Sequence, residues 1–146
     1  MRLYFDTAYL AKCYLNEPDG KQVRKLARAA SGLYSSAWCI AELACVFQRQ
    51  VREGQLGVEE AVKWRDTFLE DVQNGVWVLF PVSQYLLYRV ESLTRALPPA
   101  AYLRAGDAIH LATAADAGFT EIWSSDRHLL AAARHFGMEG RSAPTS

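Results

Sequence analysis

What the chain lacks narrows its class. It carries no net charge, with 16 Lys and Arg against 16 Asp and Glu, so composition does not advertise the basic surface usual in a nucleic-acid binder. That balance does not exclude one. Acids gathered around a cation would leave the remaining surface mildly basic, and 12 of the 16 basic residues are arginine, whose planar fork suits phosphate. There is no long unbroken apolar run. The apolar N-terminus, MRLYFDTAYLAKCYL, is interrupted by Asp6 and Lys12 and no small-residue cleavage site follows, so neither a secretory signal nor a membrane span is expected. Low-complexity segments and internal repeats are missing as well.

The cysteines are few and ill-placed for metal or disulfide chemistry. Cys13, Cys39 and Cys45 are odd in number and lack metal-type spacing. Cys39 and Cys45 fall in an apolar helical pattern and are expected to be packed thiols in a reducing cytoplasm. The three histidines, His110, His128 and His135, have no close Cys or His companions, which argues against zinc.

What remains is an ordinary globular composition. The 146 residues, 51% hydrophobic and 22% charged, suit one domain with a real core. Short apolar runs at Arg2–Phe5, Gly32–Ser36, Val76–Phe80 and Glu121–Trp123 read as buried strands, with a further short strand near Met138. Between them, helical periodicity is expected over Thr7–Leu15, Lys21–Ala30, Trp38–Glu53, Val58–Asn74, Gln84–Leu97, Gly106–Ala117 and Asp126–Phe136. Strands alternating with helices predict an α/β domain with a parallel sheet. Ligands of such sheets bind beyond the carboxyl ends of the strands.

Four acids stand out against this pattern. Asp6 follows the first strand and Asp126 the strand at 121–123, both at helix starts, where Asp serves well as an N-cap. Glu42 has Trp38, Cys39, Cys45 and Val46 one turn away, so it has no ion pair on its own helix. It must be paired with an arginine from another element, share a cation, or become protonated. Asp107 opens the helix GDAIHLATAADAG with Leu111, Ala114 and Ala115 on its side, facing the sheet, whereas Asp116 falls on the opposite, solvated face. Carboxylates gathered within about 4 Å repel by roughly 4 kcal/mol per pair at an effective dielectric near 20. A divalent ion would offset that, and all-carboxylate ligation favours Mg²⁺ or Mn²⁺ over zinc.

The segments YFDTAYLAK, SSAWCIAELA, AGDAIHLATAADAG and IWSSDRHL, in this order and spacing, resemble the PIN domain, and within it the VapC-type toxin ribonucleases of type II toxin–antitoxin systems. The resemblance covers nearly the whole chain. It implies a three-layer α/β/α domain over residues 1–142 with a short parallel sheet of four or five strands, and a flexible tail at 143–146. It also implies a Mg²⁺-dependent endoribonuclease, with Mn²⁺ as a possible substitute, leaving 5′-phosphate and 3′-hydroxyl ends. Asp6, Glu42, Asp107 and Asp126 match the family's acidic quartet, Asp6 and Asp107 as the most direct metal ligands. Ser124 matches a Thr or Ser position whose hydroxyl can bond a metal-bound water or a carboxylate. The implied partners are RNA, a second copy of the chain and a small VapB-like antitoxin, with no membrane. The alternatives are a PIN nuclease outside any toxin–antitoxin pair and a non-catalytic RNA- or protein-binding PIN module. An aspartyl phosphotransfer domain fits poorly, since the last lysine is Lys63 and Ala8 stands where a phosphatase needs its second Asp.

The remaining residues have ordinary readings. His110 is expected to be packed or hydrogen-bonded, His128 and His135 to lie at the surface or at helix ends. Trp38, Trp77 and Trp123 are expected in the core, and Arg127 is expected to balance the acids. The apolar residues Val62, Phe68, Leu69 and Val72 of the helix at 58–74 are assigned to the core, with dimer or antitoxin contacts as the alternative.

Overall fold

A computed structural model describes residues 1–143. Of the expected tail, residues 144–146 lie outside the described residues, whereas the Ala143 N–H donates to the Tyr9 hydroxyl at 2.6 Å. The chain runs β1 (Arg2–Tyr4), α1 (Thr7–Ala11), α2 (Gly20–Ala29), β2 (Gly32–Ser36), α3 (Trp38–Arg52), α4 (Val58–Gln73), β3 (Trp77–Phe80), α5 (Gln84–Arg95), α6 (Ala105–Asp116), β4 (Glu121–Trp123), α7 (Arg127–Ala132), a 3₁₀ turn (Ala133–Phe136) and β5 (Glu139–Arg141).

All strand pairings among the described residues are parallel. β1 pairs with β2 in the register Leu3–Leu33, β2 with β3 in the register Leu33–Trp77, and β4 with β5 in the register Ile122–Gly140. A single parallel bridge, Phe5 to Trp123, joins the three-stranded and two-stranded parts. It is reinforced by the Asp6 N–H donating to the Trp123 carbonyl at 3.1 Å. The lateral order is therefore β3-β2-β1-β4-β5, and the chain reverses its direction of winding between β1 and β4. That is the switch point at which an open parallel sheet leaves a crevice.

Alternation along β1 builds the layers. Leu3 and Phe5 pack into one apolar cluster with Tyr9, Leu10, Leu43, Phe47 and Phe68, whereas Tyr4 packs into a second with Leu86, Leu111, Ile122 and Leu129. Successive strand residues point to opposite faces, so β1 is covered on both sides and the sheet lies between two helical layers.

Several elements depart from their sequence pattern. The first helix stops at Ala11 rather than Leu15. The N–H groups of Lys12, Cys13 and Tyr14 donate to carbonyls three residues back, so the chain tightens into turns. The buried Lys12 ammonium pairs with Glu17 and Asp19 of the next loop at 2.6 and 2.8 Å. β3 is not fully buried. It forms the sheet edge, where Trp77 faces the core and Val76 and Val78 face outward. On α4, Phe68 enters the core and Val72 packs partly against it, but Val62 and Leu69 are exposed. Gly137, with φ +76°, ends the 3₁₀ turn that replaces the last turn of the final helix.

Candidate active site

The switch point places two strand-end acids side by side. Asp6 follows β1 and Asp126 follows β4, and each caps the next helix. Asp6 Oδ1 accepts from the Tyr9 N–H at 2.9 Å, and Asp126 Oδ1 accepts from the N–H groups of His128 and Leu129 at 2.8 and 3.3 Å. Capping uses only one oxygen of each. The buried Ser124 hydroxyl links the pair, donating to Asp6 Oδ2 at 2.5 Å and accepting from the Asp126 N–H at 2.9 Å. Burial pushes the Asp6 pKa up to about 6, with the Asp107 charge adding to it. His110, the Ser124 hydroxyl and the Tyr9 N–H work in the opposite direction.

Glu42 enters from α3 and is held by side chains remote in sequence. Thr7 Oγ1 donates to Glu42 Oε1 at 2.7 Å, and His110 Nε2 lies 2.9 Å from the same oxygen and 2.9 Å from Thr7 Oγ1. An ionised carboxylate only accepts, which assigns the ring proton to Nε2. Nδ1 then accepts from the Tyr4 hydroxyl at 2.9 Å. Tyr4 suits that role, since burial first and the Asp6 charge second raise its pKa well above the ordinary value. Burial pulls Glu42 upward too. The bonds from His110 and Thr7 outweigh it and leave the carboxyl below its usual range. The arginine partner considered for Glu42 is thus replaced by His110 and Thr7.

Asp107 sits in the first turn of α6 without capping it. Arg104, at the N-cap position, spans two acids: Nε lies 3.3 Å from Asp107 Oδ2 and Nη2 lies 2.6 Å from Asp126 Oδ2. Burial raises the Asp107 pKa, Arg104 opposes this, and the charges of Asp126 and Glu42 raise it further. The balancing of the acids expected of Arg127 is not found there, since Arg127 is exposed and makes no ion pair among the described residues. Arg104 performs it instead. The signal was the Arg–Asp spacing of three residues at a helix start.

Asp6, Glu42, Asp107 and Asp126 line one cleft of about 630 Å³, together with Thr7, His110 and Arg104. Gly106 leaves room for two side chains of α3, because a Cβ there would lie 2.8 Å from Glu42 Oε2 and 3.2 Å from Trp38 Nε1. Asp116, as its helical phase predicted, is on the surface, paired with Arg89 at 3.0 Å. Two core assignments on α3 are corrected. Trp38 is 37% exposed and Cys45 is exposed, and both line the cleft, because the core face of α3 is Cys39, Leu43 and Phe47. Trp77 is buried as expected, and Trp123 is half-buried against the core. His110 is buried and bonded. His128 packs against Tyr102, the rings tilted by 32° with centroids 4.2 Å apart.

The PIN domain family model matches residues 3–135. The chain belongs to the PIN domain family. Its fold is similar to that of Mycobacterium tuberculosis VapC20, described as a Sarcin-Ricin loop cleaving toxin, with 15% identity, TM-score 0.67 and coverage of 89% of this chain and 94% of that one. It is also similar to a chain in the structure of FitAB bound to an IR36 DNA fragment, with 14% identity, TM-score 0.68 and coverage of 97% and 94%. No curated protein matches. Among the described residues, no helix is long and apolar enough to cross a membrane.

The donor set of this PIN domain suits a hard cation, being all carboxylate, mutually repulsive, and partly held toward the protonated form at Asp6 and Asp107. It is not a ready coordination shell. No group of three or more His, Cys, Asp or Glu among the described residues is close enough to share one ion. The positive charge between Asp107 and Asp126 is the Arg104 guanidinium.

Proposed function

We propose that this PIN domain is a Mg²⁺-dependent endoribonuclease of the VapC type, the toxin of a toxin–antitoxin pair, acting in the cytoplasm. The observation that carries the proposal is the convergence of Asp6, Glu42, Asp107 and Asp126 on one cleft at the carboxyl ends of β1 and β4. Asp6, Asp107 and Asp126 would hold the ion, with Glu42 completing the site. A cation held there would supply polarisation of the scissile phosphate and a lowered pKa for water.

The chain's own residues supply the rest. Ser124 orients Asp6 and ties it to the Asp126 backbone. Thr7, His110 and the Trp38 indole hold Glu42 ionised, the first two at one oxygen, so the carboxylate is placed to accept a proton from an attacking water and align it. Arg104 is largely exposed on its acids, so it can leave them for a phosphate oxygen at little cost.

The fold likeness to VapC20, a Sarcin-Ricin loop cleaving toxin, supports RNA as substrate. The likeness to FitAB bound to DNA supports membership in a complex, here proposed to be one with a small VapB-like antitoxin. A second copy of the chain is proposed on the VapC resemblance alone. The test is cleavage of labelled RNA by the purified chain with Mg²⁺. Activity should vanish in EDTA and in both Asp6→Asn and Asp107→Asn. Full activity in those variants overturns the nuclease assignment. The toxin role is tested by growth arrest on expression, relieved by Asp6→Asn.

A further inference from the structure

One wall of the cleft carries, beside Glu42, side chains that the chemistry above does not use. On α3, Trp38, Glu42, Cys45, Arg49 and Arg52 recur at intervals of four, three, four and three residues and all line the cleft. Such spacing keeps them on one face of the helix. At 1.5 Å per residue, Arg49 and Arg52 stand about 10 and 15 Å beyond Glu42 along the axis, and Trp38 about 6 Å before it. The Arg49 guanidinium has no partner among the described residues. Arg52 reaches only its exposed neighbour Glu53, at 3.5 Å, a pairing that solvent screens. Trp38 is one-third exposed at the cleft mouth, its indole N–H helping to hold Glu42 ionised.

We propose that this stripe is the path of a single RNA strand. Phosphates a few nucleotides from the scissile one rest on Arg49 and Arg52, and a base stacks on Trp38. The proposal rests on the nuclease reading for the position of the scissile phosphate. The argument is charge complementarity. A polyanion brought to four carboxylates must be held by positive charge outside them, and Arg49, with Arg52 in its solvent-screened pair, provides it on the adjoining wall. Cations in line with an exposed aromatic are the combination that grips single strands without reading sequence. A protein segment would need a continuous apolar strip, which Glu42, Arg49 and Arg52 interrupt.

The experiment measures binding of a fluorescein-labelled single-stranded RNA to the full-length Asp6→Asn protein by anisotropy across a salt series in Mg²⁺. Adding Arg49→Gln and Arg52→Gln should weaken binding and reduce the slope of log K against log salt by about 1.4, or 0.7 for each phosphate left without its arginine. Lys21→Gln with Lys25→Gln, a charge-matched change on exposed positions of α2, should leave the slope unchanged. Trp38→Leu should weaken binding by roughly 5- to 150-fold, while Trp38→Phe keeps most of it.

An Arg49/Arg52 variant with affinity and slope equal to the parent overturns the strand path and leaves this face to a protein partner. Equal losses in the Lys21/Lys25 control also overturn it, by reducing the effect to net charge. Cleavage of the same RNA by wild type is scored separately. Cleavage with no dependence of binding on α3 sinks the path and spares the nuclease. Dependence of binding on α3 with no cleavage sustains the path and sinks the nuclease.

Discussion

Arg104 and Asp126, 22 positions apart, are held together with Nη2 2.6 Å from Oδ2. The same guanidinium reaches Asp107, so a tethered cation stands between two of the acids proposed to hold the ion. On that proposal a divalent ion would have to displace it. Arg104→Gln is therefore expected to tighten Mn²⁺ binding by up to roughly fivefold, the ceiling of about 1 kcal/mol for an exposed ion pair. Calorimetric titration of wild type and variant checks this, and weaker binding by the variant contradicts it.

Asp6 sets a pH dependence. Its pKa in the folded chain is about 6, above the roughly 3.9 of an unfolded aspartate. Between those values the folded state binds more protons than the unfolded one, so stability falls as pH rises. The contribution is fully present below about pH 4 and is lost as pH rises through about 6, on the order of 3 kcal/mol in all. Urea midpoints in EDTA should decline over this window for wild type and decline less for Asp6→Asn. Divalent ion should restore the wild type at neutral pH, because it binds the ionised form.

Gly106→Ala should separate stability from activity. Alanine is the better helix former by about 1 kcal/mol, and the added Cβ meets only the movable ends of Glu42 and Trp38. The fold should hold or gain slightly in thermal melting. Displacing Glu42 by a fraction of an ångström to 1 Å should slow cleavage by up to ~100-fold. Unchanged cleavage would show that Glu42 has no positional role.

Ser124→Ala removes the hydroxyl that donates to Asp6 and accepts from the Asp126 N–H. Leaving buried polar groups unpaired should lower stability by about 1–3 kcal/mol in denaturant titration. Asp6, freed of a bond that favours its ionised form, should titrate higher. Metal affinity should then fall most at acidic pH, which calorimetry at two pH values detects.

Much of this molecule is local, and so legible in the chain. Strand and helix periods are set by neighbours a few residues apart, which is why β2 and β4 fall at their expected residues and α3 and α4 within one residue of their expected ends. The end of a strand followed by an N-capping Asp is local too, and helical phase turned Asp107 inward and Asp116 outward. Trp38 and Cys45 differ in kind. They look like core because apolar residues flank them, yet which face of α3 meets the core is settled by the neighbour it packs on.

The sequence by itself determined the alternation of elements, the acids at strand ends and the PIN resemblance. Tertiary structure alone decided that β4 lies beside β1, so that Asp6 and Asp126 share Ser124. It decided that Glu42 is held by Thr7 and His110 rather than by an arginine, and that Arg104 rather than Arg127 neutralises the acids. Those bonds join residues 22 to 118 positions apart. The energy of such pairs depends on burial and on the order of strands, which no window of neighbouring residues encodes.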